Sequence, residues 1–156
     1  MISQHRRVAT LALALGLGMG LLTSPLSALA HDDAYLNTVK APNGGQLRMA
    51  GMYHYELVVV KDSKDAKENP VLVYVTDHAG TKFPTIGASG TVTLLAGKAM
   101  TRVTLVPDGD NRLKGMAKYA SSPNMKAVVA ITMAGKTAEQ ASFTPMANTK
   151  DEHMHH

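Results

Sequence analysis

The stretch 52-MYHYELVVV-60 decides how this chain is read. Aromatic and β-branched residues dominate it, and such residues suit a half-buried strand. Side chains alternate across a strand, so Tyr53, Tyr55, Leu57 and Val59 share one face while His54 and Glu56 project from the other. The apolar set marks the core side. An imidazole and a carboxylate two residues apart on the remaining face are the first candidates for chemistry, and we expect that face to be open to solvent.

Working outward, 71-VLVYVT-76 reads as a second strand, and the charged run 61-KDSKDAKENP-70 reads as the loop between the two. Asp77-His78-Ala79-Gly80 reads as a turn. The runs 90-GTVTLL-95 and 100-MTRVTLV-106 supply two further strands, and 107-PDGDN-111 is a strong turn signal after them. Arg112–Tyr119, Ala127–Met133 and Thr137–Phe143 bring the expected number of strands to about seven. No segment carries a sustained helical period. Short strands separated by turn residues imply an all-β chain, an antiparallel, immunoglobulin-like β-sandwich.

The opening residues bear on location. Arg6 and Arg7 precede an apolar run from Val8 to Leu22, Pro25 breaks it, and Ala28-Leu29-Ala30 gives the small-x-small pattern of a signal-peptidase site. We therefore expect residues 1–30 to be a cleaved signal peptide, His31 to be the mature amino terminus, and the periplasm to be the destination. The expected organisation continues with a loosely structured segment over 31–45, a sandwich domain over 46–145, and a flexible His-rich tail over 146–156.

Without residues 1–30 the chain keeps 14 Lys+Arg against 12 Asp+Glu, a net charge of +2 in place of +4. The lysines are scattered singly, with no basic stripe and no aromatic interleaving, which argues against nucleic acid as a partner. No apolar run after the signal is long enough to span a membrane. There is no cysteine, so the fold has no disulfides, and any metal must be held by His, Met, carboxylate or the terminal amine.

Several residues meet that description. If Val60 opposes Val71 in a hairpin, His54 faces Asp77 and His78 stands opposite Tyr53. His54, Glu56 and Asp77 then share one end of a face, a chelate-like set that His78 joins if the turn re-aims it. His31, once terminal, offers an α-amine and an imidazole together, a nitrogen pair suited to Cu(II). In 153-HMHH-156, His153, His155 and His156 form a metal-binding composition. Met49 and Met52 offer thioethers suited to Cu(I) just before His54. Met116, Met125 and Met133 read instead as core filling, because Phe83 and Phe143 are the only phenylalanines and there is no tryptophan.

The run 42-PNGGQLRMAGMYHYELVVV-60, with 73-VYVTDHAG-80, 90-GTVTLL-95 and 105-LVPDGDNRLKG-115, resembles a small periplasmic β-sandwich family associated with the adaptor subunits of bacterial heavy-metal efflux systems. The resemblance covers most of residues 41–144. It implies handling of copper or another divalent transition metal without catalysis, as a chaperone, sink or accessory to efflux and heavy-metal resistance, with a periplasmic efflux adaptor as partner. Asn43 departs from that pattern, which usually has histidine there. No nucleophile elbow, zinc-protease helix or phosphate-binding glycine loop is present, so no catalytic residue is assigned. The competing expectation is an interaction sandwich that docks on an envelope protein, with its histidines incidental.

Overall fold

The computed structural model describes residues 33–147. The expected signal segment, His31, His153, His155 and His156 lie outside the described residues. Within them the chain is all-β apart from one short helix, α1 (Asp33–Thr38). Eight strands follow: β1 (Gln46–Ala50), β2 (Tyr53–Val59), β3 (Lys67–Thr76), β4 (Ser89–Ala96), β5 (Ala99–Pro107), β6 (Arg112–Tyr119), β7 (Lys126–Thr132) and β8 (Ala138–Phe143).

The expected sandwich of seven strands is corrected here. All pairings are antiparallel, and the eight strands form one sheet in the order β1-β2-β3-β6-β5-β4-β7-β8. The two ends of that order meet: the backbone N–H of Thr144, just after β8, donates to Gln46 Oε1 of β1 at 2.8 Å. The result is a nearly closed, barrel-like sheet. Its narrowest join is β5 to β6, where only Val106↔Lys114 and Pro107↔Leu113 pair. Gly115 permits the crossing there, since a Cβ on it would lie 2.3 Å from Val103 Cγ1.

The interior follows the period-two pattern. Tyr53, Tyr55, Leu57 and Val59 of β2 meet Val71, Val73 and Val75 of β3, together with Val92, Leu94, Leu113, Val129 and Ile131 from the other strands. Met125 and Met133 fill the core as expected, whereas Met116 does not and stays half exposed on β6.

Three further expectations change. Residues 31–45 are not loose throughout, because α1 occupies 33–38 and buries Leu36 against Ala41, Leu47 and Met49. The 61–70 loop is shorter than expected, since β3 already begins at Lys67 and Pro70 is paired opposite Met116. The β2–β3 register is displaced by one: Val59 faces Val71, so His54 faces Thr76 and Glu56 faces Tyr74. Directly paired residues share a face. The core-facing apolar residues of β2 are all odd-numbered and so are Val71, Val73 and Val75, which forbids pairing Val60 with Val71.

Candidate functional site

The outer face of β2 is covered, which the sequence reading did not foresee. His54 and Glu56 are both buried, with only 7% and 3% of their surfaces exposed. The cover is α1 and the chain that follows it. Asp33 Oδ1 accepts the backbone N–H of Met49 at 3.1 Å, and the Arg48 guanidinium donates to Asn37 Oδ1, so both ends of α1 are tied to β1.

Glu56 anchors the next segment. Its Oε1 accepts the backbone N–H groups of Asn43 (2.8 Å) and Gly45 (2.9 Å), and its Oε2 accepts Asn43 Nδ2–H (2.8 Å). Three donors converging on one buried carboxylate meet its charge where water cannot. Close approach is possible because position 45 is glycine: a Cβ there would lie 2.3 Å from the Leu57 carbonyl oxygen. Glu56 is thus a structural tie, and Asn43 is its partner.

Asp77 is engaged elsewhere. Its Oδ1 accepts the N–H groups of Thr81 (2.8 Å) and Ala79 (2.9 Å), closing the turn after β3. These amides, Thr81 first, hold its carboxyl below the usual carboxylate range. Asp77 is not opposite His54, and the expected cluster of one imidazole and two carboxylates does not form. Among the described residues no group of three or more His, Asp or Glu side chains is arranged to hold a metal ion.

The turn that removes Asp77 delivers His78. Its ring lies over that of His54, with centroids 4.9 Å apart and planes within 20°. His78 Nε2 is 3.3 Å from the Gly51 carbonyl oxygen. A carbonyl only accepts, so Nε2 carries the proton there, and in the neutral ring Nδ1 carries the lone pair. Met49 stands directly opposite His54 in the β1–β2 register and is partly buried beside Leu36 and Leu47. Met52 lies in the β1–β2 turn and is well exposed.

His54, Glu56 and His78 line a cavity of about 410 Å³ between the sheet and its cover. Tyr35, Leu36, Val39, Pro42 and Leu47 give it an apolar wall. Tyr74, Thr76 and Asn111 contribute polar floor, and Lys40 and Lys82 stand at its rim. Apart from His54, Glu56 and His78, none of the lining residues named here was singled out from the sequence. The helix that brings Tyr35 and Leu36 is six residues long, too short to show a period; Val39, Lys40 and Pro42 come from the chain just after it, and the others arrive by the folding of the sheet and its turns.

The opposite face of β2 holds a second polar feature. The hydroxyls of Tyr53 and Tyr55 are buried with no hydrogen-bond partner among the described residues. Burial, and then the nearby Glu139 carboxylate and Tyr53, push the Tyr55 phenol above the usual tyrosine range.

No known family profile matches the chain, and no curated protein is similar enough to it to count as a relative.

Proposed function

We propose that this is a binding protein for a transition metal, copper being the best fit, with the His54–His78 pair as its protein-held donors. The observation that carries the reading is the stacked ring pair on the cavity wall, 4.9 Å between centroids, with a methionine paired across from it. Two imidazoles and a thioether form a borderline-to-soft donor set, which suits Cu(I) above oxygen-seeking cations. Glu56 and Asp77 are withdrawn from that set by their amide donors, and removing hard oxygens leaves it softer. The Gly51 carbonyl supplies the outer hydrogen bond that orients a ligating imidazole.

On this reading the protein has no catalytic residues and works in the periplasm as a chaperone or sink, where an efflux adaptor of the heavy-metal type is the partner that its sequence likeness favours. The expected terminal ligands His31, His153, His155 and His156 add sites of their own. The competing reading, an interaction domain with incidental histidines, predicts no ordered metal at the cavity.

The test is a Cu(I) titration of the full chain in which His153, His155 and His156 are replaced by alanine. His54→Ala in that background should weaken binding tenfold or more, the order expected when a directly bonded ligand is lost. Lys64→Ala, in the 60–66 connection, is the control and should change nothing. Equal affinity of the His54→Ala protein and its parent would remove the strand histidine from the site and favour the interaction domain.

A further inference from the structure

The cavity is larger than an ion needs. Its volume of about 410 Å³ falls within the range of pockets that hold small organic ligands. Its two sides differ in character. The wall from α1 and the chain after it is apolar, and part of that wall is uncovered: Tyr35 is 55% exposed and Val39 38% exposed. Large apolar side chains left open beside a concave surface mark a place where another apolar body sits.

The rim and floor carry donors and positive charge. Lys40 and Lys82 line the cavity, and neither forms an ion pair with a carboxylate among the described residues. The one acidic side chain in the lining, Glu56, already accepts three N–H groups and is buried, so it offers little to a cationic ligand. Lys82 is held at the rim by backbone pairing of its residue with Thr76, the partner of His54.

From this arrangement we infer that the cavity binds a small amphipathic carboxylate, its apolar body against Leu36, Val39 and Leu47 and its acid group at the Lys82 rim. The apolar body supplies most of the affinity through burial, and the ammonium supplies the selection for an anion. This inference goes beyond the metal reading and does not depend on it, because the lysines and the apolar wall are not metal ligands.

Octanoate is the probe, titrated into the full chain in EDTA and followed by two-dimensional amide NMR, with octan-1-ol and octylammonium as charge controls. We expect octanoate to bind with a dissociation constant below about 1 mM, shifting the amides of 36–43 and 76–82, and octylammonium to bind at least about tenfold more weakly. Lys82→Glu should weaken octanoate about tenfold, the scale of one charge-assisted contact. Val39→Asp should weaken it similarly, and Lys98→Glu in the β4–β5 turn should leave it unchanged. Lys82 and Val39 are exposed, so an unchanged amide spectrum away from the cavity confirms that each variant is folded. Equal binding of octan-1-ol and octanoate, or an unaffected Lys82→Glu protein, would overturn the carboxylate. Absence of shifts at 36–43 would overturn the site. Because EDTA is present throughout, none of these results touches the copper titration, and failure of that titration leaves this one standing.

Discussion

On one face of β2, Tyr53, Tyr55, Leu57 and Val59 are buried by seven other strands; on the other, His54 and Glu56 are buried by a six-residue helix and a short connecting segment. The first burial is continuous apolar packing contributed from all round the barrel. The second rests on a small separate apolar cluster, Leu36, Ala41 and Leu47 with Met49, and on a few directed contacts, chiefly three N–H groups on one carboxylate and an aspartate and asparagine of α1 on β1. Packing that draws on many elements is cooperative with global folding, whereas a cover held by a small cluster and a handful of hydrogen bonds is able to open locally. The difference explains how one strand serves as both core and site floor.

Substitutions on the two faces should therefore differ in kind as well as size. Leu57→Ala, at a position 1% exposed, should lower global stability by about 2–5 kcal/mol, measured by chemical denaturation. Glu56→Ala, across the same strand, should cost about 1–3 kcal/mol by leaving its amide donors without their acceptor. Its signature is local: hydrogen exchange at Asn43 and Gly45 should accelerate while the amides of Val73 and Val75 keep their protection. Equal acceleration at both would mean that the cover and the barrel open as one unit, and the contrast between the faces would be lost.

The smallest effect is expected at Tyr55. Its hydroxyl is buried without a partner among the described residues, so Tyr55→Phe removes a desolvated group and should change stability at neutral pH by less than about 1 kcal/mol. The pH dependence is more telling. A phenol whose ionisation is raised on folding contributes stability that is fully present below the ordinary tyrosine value near 10 and is lost as the unfolded chain ionises above it. Wild-type stability should thus fall more steeply above pH 10 than that of the Tyr55→Phe protein, and identical alkaline slopes would contradict the burial of this hydroxyl.

How much of this was legible in the sequence depends on which force set each feature. Strands β2 to β8 were visible because alternation and turn residues are local signals, and 107-PDGDN-111 marks its turn by composition alone, with Gly109 at a φ of 106°. Strand β1 was missed because QLRMA is only five residues long with no β-branched or aromatic residue, and is a strand by virtue of its pairing with β2. The register of β2 on β3 was legible and misread: the alternating core-facing apolar sets of both strands are odd-numbered, so the pairing had to sum to an even number. That single step separated His54 from Asp77. The return of His78 to His54 depended on a turn closed by Asp77, and the role of Glu56 depended on a segment 13 residues earlier in the chain. Neither is a local signal. Closure of the sheet into a barrel-like form likewise rests on the meeting of β1 and β8, the first and last strands among the described residues.

The central claim is that His54 and His78 act together as a metal-binding pair, and ¹⁵N NMR of the imidazole rings tests it most directly. The protein would carry alanine at His153, His155 and His156, and diamagnetic Cu(I) would be added to one equivalent. The account predicts that ring nitrogens of His54 and His78 shift together and in proportion to metal, and that acidification reverses both shifts because a ligating imidazole must give up its proton. Shifts confined to other histidines, or a response of His78 that persists unchanged in the His54→Ala protein, would contradict it.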